Sequence, residues 1–253
     1  MSFDLFRGET LGVVGESGSG KSTLGNAILN VLRLTAPDVK ITGQIEIGLD
    51  ENYIELLSLS KNEMKKYRKH IQMIFQDPYS SLNPRMLVKD IIREPLNINT
   101  DLNTNEKNEK VDWLLEKVGL SIEQSNRYPH EFSGGQRQRI GIARSLATDP
   151  DIIIADEPVS ALDVSIQAQI INLMMDLQDE FNLSIIFIAH DLSVVKHISN
   201  RVGVMYQGKL VEINKTDDIF SKPENDYTKE LLRAIPQPDP IGRKERKAAR
   251  LKN

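Results

Sequence analysis

Residues 15–22 read Gly15-Glu16-Ser17-Gly18-Ser19-Gly20-Lys21-Ser22, and Thr23 follows them. The spacing is G-x-x-x-x-G-K-[ST], whose glycines let backbone N–H groups close around phosphate oxygens. In such a loop the lysine reaches the β- and γ-phosphates of a nucleoside triphosphate, and the serine hydroxyl holds Mg²⁺. The alternative is a Gly/Ser turn between a strand and a helix that binds no ligand. The pattern favours a phosphate-binding loop, with residues 15–23 as candidate nucleotide-binding residues.

The segments on either side of this loop indicate a strand before it and a helix after it. Residues 10–15 are largely apolar, and residues 22–34 repeat apolar side chains at helical spacing. A helix N-terminus therefore points at the anion. Two further apolar runs, at 151–156 and 183–190, are typical of buried parallel strands. This alternation predicts an α/β fold, a mostly parallel sheet with helices on both faces.

Between these strands, an amphipathic stretch predicts an inserted helical lobe at about 88–130. Within it, the polar segment 97–108 is expected to be a loop. The other predicted elements are strands at 42–47 and 53–57, a helix at 134–148, and a hairpin of strands at 201–206 and 209–213. The resulting division is a core at about 1–87 and 131–215, a C-terminal helical segment at about 216–235, and a basic tail at 236–253.

Composition excludes several classes of function. The net charge is −4, so no overall basic field attracts nucleic acid. The chain has no cysteine, which excludes disulfides, a cysteine nucleophile and cysteine-ligated metal centres. The four histidines are scattered without the spacing of metal ligands. Apolar runs fall far short of the roughly 18 residues that span a bilayer, so we expect any link to a membrane to go through a partner.

An acidic pair follows one of the predicted strands. Residues 151–155 are mostly apolar and deliver Asp156 and Glu157 to the end of that strand. Asp156 can hold Mg²⁺ through its water shell, and Glu157 can polarise an attacking water. Such a pair also occurs in strand-end turns that have no catalytic role. The phosphate loop in the same chain favours the catalytic interpretation.

A second candidate anion site precedes the helix predicted at 134–148. Its residues are Ser133, Gly134, Gly135 and Gln136, which combine backbone N–H groups with a hydroxyl at a helix N-terminus. Taken alone, this motif is more often a helix cap. A second phosphate-type site far from the first suggests that one nucleotide is held between two subunits.

Two polar residues at other strand ends complete the candidate site. Gln76 can ligate Mg²⁺ or its water, and His190 can donate to the γ-phosphate. Each of them, taken singly, is more often a structural residue. Their value lies in their order along the chain with the other motifs.

That order, which runs from the phosphate loop through Gln76, residues 133–136, the acidic pair and Asp163 to His190, resembles the ATP-binding-cassette (ABC) ATPases. Four further stretches are similar to the oligopeptide and dipeptide permease ATPases: 76–86, 128–132, 163–169 and 227–236. Since cysteine is absent, the resemblance favours the member of the ATPase pair without a C-terminal iron–sulfur motif.

The resemblance implies a P-loop NTPase core that uses ATP and Mg²⁺. Ser22, Gln76 and Asp156 would lie at the metal, and Glu157, His190 and Gln76 would be catalytic. Residues 133–136 of one subunit would cover ATP bound at Lys21 of the other, with Asp163 at the seam between the two.

The same resemblance implies a peripheral subunit on the cytoplasmic face of the membrane that powers peptide import through ATP-driven dimer closure. Its expected partners are transmembrane permease subunits, which the helical lobe and residues 77–86 would receive, and a second ABC ATPase, either a copy or a paralogue. A solute-binding protein takes part indirectly, and nucleic acid does not. Alternatives are a nucleotide-binding module with little turnover and an importer ATPase for nickel or glutathione. An ATP-switched module of DNA repair or translation would need a coiled-coil insertion or a second cassette.

The chain departs from the family pattern in two places. Phe132 stands where the family usually has leucine. The family's adenine-stacking aromatic lies well upstream of the phosphate loop, and only fourteen residues precede Gly15 here. We therefore expect a truncated N-terminus, a reduced antiparallel β edge, and an ATP affinity about 5- to 150-fold lower. Phe3 and Phe6 are expected in the core.

The basic tail has two interpretations. Its three prolines and the basic residues after them, within 236–253, predict a solvated, disordered end. The alternative is a contact with anionic lipid near the permease.

Overall fold

The strands build one large sheet and a separate hairpin. The computed structural model describes residues 1–36, 38–49 and 52–234, so the basic tail lies outside the described residues. In this part of the chain the strands are β1 (Thr10–Val14), β2 (Glu46–Leu49), β3 (Asn52–Glu55), β4 (Ile71–Ile74), β5 (Ile152–Asp156), β6 (Ser184–Ile188), β7 (Arg201–Tyr206) and β8 (Lys209–Lys215).

Most of the helices lie between strands in the sequence, and the last two follow β8. They are α1 (Lys21–Ile28), α2 (Leu32–Thr35), α3 (Lys61–Tyr67), α4 (Val88–Asn99), α5 (Thr104–Lys117), α6 (Gly134–Leu146), α7 (Val164–Phe181), α8 (Leu192–Ile198), α9 (Thr216–Ser221) and α10 (Asp226–Arg233). Short 3₁₀ turns lie at Leu56–Ser58, Ile122–Asn126 and Pro129–Glu131. None of the helices described here is long and apolar enough to cross a membrane.

The large sheet has the strand order β4-β5-β6-β1-β7-β8. Neighbouring strands from β4 to β7 run parallel, and β8 pairs antiparallel with β7 at the edge. Strands β2 and β3 form their own antiparallel pair. The predicted α/β class with a mostly parallel sheet is confirmed. Since parallel strands present their carboxyl ends at one edge, the residues that follow β1, β4, β5 and β6 share that edge.

Both faces of the sheet are buried. In β6, Ile185 and Phe187 join a cluster made with residues of helices α4 to α8. The alternate residues Ile186 and Ile188 join a second cluster, which includes Leu56 and Met64. Alternate side chains of a strand point to opposite faces, so a strand covered on both sides reads as a continuous apolar run. This is why the apolar runs predict these strands well.

Several predicted boundaries are wrong. The strand predicted at 42–47 is observed as β2 at Glu46–Leu49. In three other cases a particular hydrogen bond marks where an element begins or ends. The polar segment 97–108 is mostly helical, since α4 continues to Asn99 and Asn103 caps α5 with Glu106 in a capping box. The helix predicted at 22–34 breaks near Asn30, whose φ is +52° and whose side-chain amide donates to the Leu56 carbonyl at 3.0 Å. Similarly, Glu55 accepts from Leu57 N and ends β3 early.

The two N-terminal phenylalanines differ in burial. Phe3 is half-buried and packs against the second cluster. The prediction of a core position is wrong for Phe6, whose surface is 58% exposed. The Arg201 guanidinium lies 5.0 Å from the centroid of the Phe6 ring. A cation over the ring face therefore supplies the stabilising contact there.

Candidate active site

The phosphate loop joins β1 to α1 and depends on glycine conformations. Gly20 precedes α1 with a φ of +98°, which L side chains rarely adopt. At Gly15 a β-carbon would lie 2.1 Å from the Met205 carbonyl oxygen, so the backbone of β7 excludes any side chain there. Residues Glu16, Ser17 and Gly18 are exposed at the outer turn of the loop. The loop is therefore packed against β7 at Gly15 and exposed to solvent at its outer turn.

Lys21 is buried inside the loop, with 5% of its surface exposed. Its ammonium donates to the carbonyls of Gly15 at 2.7 Å and Glu16 at 2.9 Å. Burial lowers the pKa of Lys21, and the nearby carboxylates of Glu157 and Asp156 partly oppose that shift. The Lys21 side chain therefore lies along the predicted phosphate loop.

Ser22 and Asp156 connect the loop to the end of β5. The Ser22 hydroxyl donates to Asp156 Oδ1 at 3.0 Å. Asp156 is 6% exposed, and burial raises its pKa, while the hydrogen bond from Ser22 acts in the opposite direction. Two predicted metal-binding residues from distant parts of the chain are therefore in direct contact.

The predicted catalytic residues converge on Glu157. Gln76 Nε2 donates to Glu157 Oε2 at 3.0 Å, and His190 Nδ1 lies 3.2 Å from the same oxygen. These residues follow β4, β5 and β6, which are neighbours in the sheet. The Glu157 backbone has a φ of +45°, and its N–H donates to the Ile188 carbonyl at 2.9 Å. The sheet thus brings the three side chains together, and both neighbours contact the same oxygen of the carboxylate.

Ser19 leaves an unmet hydrogen-bonding group inside the loop. Its hydroxyl is buried, and among the described residues it has no hydrogen-bond partner. A buried polar group without a partner costs about 1–3 kcal/mol. A phosphate oxygen in the loop would satisfy this hydroxyl, so the loop fits the anion that the sequence predicts.

The second candidate anion site is a helix cap in this structure. Ser133 Oγ accepts from Gln136 N at 3.3 Å, and Gln136 Oε1 accepts from Ser133 N at 3.0 Å. Ser133 and Gly134 are exposed, and so is Asp163 at the start of α7. Within the described residues, no hydrogen bond joins these groups to the phosphate loop. In the described part of one copy of the chain the two predicted sites are therefore not hydrogen-bonded to each other.

Gly135 packs α6 against α7. A β-carbon at Gly135 would lie 2.5 Å from Ile166 Cγ2. Since isoleucine is β-branched and stiff in a helix, Ile166 cannot easily turn away. The structure shows a packing reason for this glycine that holds whether or not the motif binds an anion.

Replacing Gly135 with alanine is expected to lower the free energy of unfolding by about 1–3 kcal/mol. Gly141→Ala, in the same helix, is the matched control, because no described atom lies within 4 Å of the added carbon apart from its own helix. That control is expected to be neutral or stabilising by up to about 1 kcal/mol. Chemical denaturation measures both, and equal effects would contradict the packing argument.

Sequence reasoning missed the residues that hold the phosphate loop from outside. The Met205 carbonyl lies against Gly15, and Gly208 N donates to the Ser19 carbonyl at 3.0 Å. Tyr227 Oη accepts from Glu16 N at 3.2 Å. These contacts join positions about 200 residues apart, and nothing in the local pattern indicates them.

Comparison with known proteins agrees with this geometry. The profile of the family described as "ABC transporter" matches residues 1–160. The oligopeptide transport ATP-binding protein OppF of Bacillus subtilis (strain 168) is 56% identical over 241 residues, which cover 95% of this chain and 76% of that protein. The dipeptide transport ATP-binding protein DppF of Lactococcus lactis subsp. cremoris (strain MG1363) is 52% identical over 247 residues, covering 97% of this chain and 77% of that protein.

A solved structure shows the same fold. It is the ATP-binding cassette MJ0796, in a dimeric post-hydrolysis state bound to ADP and Pi. It superposes with a TM-score of 0.70 at 28% identity and covers 85% of this chain and 88% of that chain. Because the family profile matches more than half of the chain and both relatives match nearly all of it, the chain belongs to the ABC transporter family, in which it is an ATPase with a P-loop NTPase fold.

Proposed function

We propose that this chain is the ATP-hydrolysing subunit of an importer for peptides, of the oligopeptide or dipeptide type. The observation that carries the proposal is the Glu157 carboxylate, held by Gln76 and His190 beside the phosphate loop. The names of the relatives, which are oligopeptide and dipeptide transport proteins, support the choice of solute. Two such cassettes close around bound ATP and reopen after hydrolysis, which switches the permease between its access states.

In the proposed reaction, each side chain acts at a stated atom. Lys21 turns from the loop carbonyls to the β- and γ-phosphates, and its charge offsets the negative charge that develops there. Glu157 accepts a proton from the attacking water through its carboxylate. Gln76 and His190 fix the orientation of that carboxylate, and His190 is proposed to donate to the γ-phosphate.

Mg²⁺ fits the donors beside the loop. Ser22 Oγ, Asp156 and Gln76 supply oxygen atoms, which this hard cation prefers. Among residues 1–36, 38–49 and 52–234, no group of three His, Cys, Asp or Glu side chains could hold a metal alone. Mg²⁺ is usually held by one or two carboxylates together with substrate phosphates and waters, so this donor set suits a metal that arrives with the nucleotide. When bound, Mg²⁺ would neutralise phosphate charge.

The proposed dimer would complete the site with residues 133–136 of a second cassette, a copy or a paralogue. The exposure of Ser133 and Gly134 supports this role, as does the exposed start of α7, where Asp163 lies beside Val164. Val164 is an apolar side chain that is 81% exposed. A protein–protein contact would remove this surface from water.

The surface proposed to receive the transmembrane permease includes two exposed aromatic residues, Phe75 and Tyr79. The Arg137 guanidinium lies 5.0 Å from the Tyr79 ring centroid, and that of Arg144 lies 5.7 Å from Phe75. Arg144 also donates to the Ser81 carbonyl at 2.6 Å. A short helix of the permease would dock on this anchored loop and the lobe beside it, placing the subunit on the cytoplasmic face of the membrane. The solute-binding protein would act through the permease.

The test is solute uptake in a strain of the source organism that lacks this gene. Uptake of a radiolabelled tri- or tetrapeptide is expected to fall to background and to return with the wild-type gene but not with Glu157→Gln. Uptake of nickel and of glutathione is expected to stay unchanged. Loss of nickel or glutathione uptake, with peptide uptake intact, would contradict the peptide proposal. Full rescue by Glu157→Gln would favour a binding module with little turnover.

A further inference from the structure

One hydroxyl connects the C-terminal helix α10 to the phosphate loop. Tyr227 Oη accepts a hydrogen bond from the backbone N–H of Glu16 at 3.2 Å, across 211 positions of sequence. Glu16 is the second residue of the loop. A segment that follows the whole sheet therefore contacts the element that binds phosphate.

Helix α10 is held firmly enough for this contact to be specific. The Glu212 carboxylate, on β8, accepts from Glu224 N at 2.8 Å and from Asn225 N at 3.0 Å. Asn225 then caps the helix by accepting from Tyr227 N at 2.9 Å. Thr228, in the first turn, is buried. Three hydrogen bonds thus fix the start of the helix, and with it the position of Tyr227.

The Tyr227 ring lies against a second part of the same support. Its centroid is 4.2 Å from that of Tyr206, at an interplanar angle of 34°. Tyr206 ends β7, and the turn that follows it supplies Gly208 N to the Ser19 carbonyl. Burial raises the pKa of Tyr227, so its hydroxyl stays protonated at neutral pH. The loop is therefore held at Glu16 by α10 and at Ser19 by the β7–β8 turn.

The backbone of Glu16 is hydrogen-bonded through both its N–H and its carbonyl. Its carbonyl accepts from Lys21 Nζ at 2.9 Å, and its N–H donates to Tyr227. A glycine-rich loop is costly to order, because glycine has the most conformational freedom to lose. A contact that fixes one peptide of the loop in advance reduces the ordering cost that ligand binding must otherwise supply.

We propose that Tyr227 is a positioning residue for the phosphate loop, through which the C-terminal segment raises the affinity for nucleotide. The inference rests on nucleotide binding at this loop, as in the proposed function. Tyr227 acts through the Glu16 peptide, and the structure gives it no other role in the reaction. Its contribution is expected in affinity, since the groups around Glu157 do not depend on it.

The test compares Tyr227→Phe with Tyr206→Phe in the full chain. Both variants remove one hydroxyl and keep the ring, but the Tyr206 hydroxyl contacts the exposed side chain of Gln207 at 3.3 Å. We expect Tyr227→Phe to raise the Kd for MgATP, measured by calorimetry, about 2- to 10-fold. The turnover number at saturating ATP and the melting temperature are expected to stay at wild-type values. Tyr206→Phe is expected to change none of these quantities.

A second measurement uses the wild-type protein and does not depend on how the variants fold. The Glu16 amide proton is expected to exchange slowly with deuterium, as a hydrogen-bonded amide does, and exchange at the rate of an unstructured peptide would overturn the proposal. An unchanged Kd in Tyr227→Phe, or equal losses in both variants, would also overturn it. If the wild-type protein does not bind MgATP, the hypothesis that is wrong is nucleotide binding at the loop. This outcome is therefore distinguishable from a failure of the positioning role of Tyr227.

Discussion

Replacing Glu157 with glutamine is expected to lower ATP turnover by about 10²- to 10⁴-fold while ATP binding is retained. The amide has the shape of the carboxylate but cannot take a proton from water. Its remaining oxygen can still accept from Gln76 Nε2, which now lies 3.0 Å from Glu157 Oε2. The change therefore removes the proposed base and little else. Phosphate release at saturating MgATP measures turnover, and calorimetry measures binding.

The matched control for this experiment is Glu180→Gln. Glu180 forms an exposed ion pair with Lys117 and takes no part in the candidate active site. Surface pairs of this kind contribute about 0–1 kcal/mol, so wild-type turnover is expected. If Glu157→Gln hydrolyses ATP as fast as this control, Glu157 is not the base.

Replacing Lys21 with alanine is expected to weaken MgATP binding by about 10- to 150-fold, the loss of one or more charged hydrogen bonds. Burial lowers the pKa of Lys21, which means that the folded protein holds this charge at a cost. Its removal is therefore expected to leave the melting temperature unchanged or to raise it. Calorimetric titration with MgATP and thermal unfolding measure the two effects separately.

Lys196→Ala is the control for the lysine variant. Lys196 lies on α8, where its ammonium is 5.2 Å from the centroid of the Phe220 ring. It has no contact with the phosphate loop in the described residues, so unchanged ATP affinity is expected. If Lys21→Ala bound MgATP as tightly as wild type does, the phosphate loop would not be the binding site.

The sequence alone predicted the parts of the site that follow directly from strand ends and glycine spacing. The loop at 15–22 and the strand before Asp156 are such parts, because a strand buried on both faces reads as a continuous apolar run. Which side chains then meet is also predictable, since β4, β5 and β6 share one edge. That Gln76 and His190 both bond to Glu157, and not to separate groups, follows only from the three-dimensional arrangement of the side chains.

What the sequence did not predict depends on contacts between distant segments or on single caps. The polar residues at 97–108 predict a loop, yet Asn97 and Asn99 lie in the last turn of α4 and Asn103 caps the start of α5. Polar residues are favoured both in loops and at helix caps, so composition cannot separate the two. Tyr227 belongs to a stretch that resembles peptide permease ATPases, but its hydrogen bond to Glu16 follows from the three-dimensional packing of α10 on β8.

The positive φ of Glu157 lowers the stability of the fold at the residue that is proposed to act as the base. A left-handed backbone costs an ordinary L-residue roughly 1–2 kcal/mol, and glycine pays almost none of it. Selection for stability alone would therefore favour glycine at position 157, and the carboxylate would be lost. Because Glu157 is the proposed base, stability engineering of this protein should leave the position untouched.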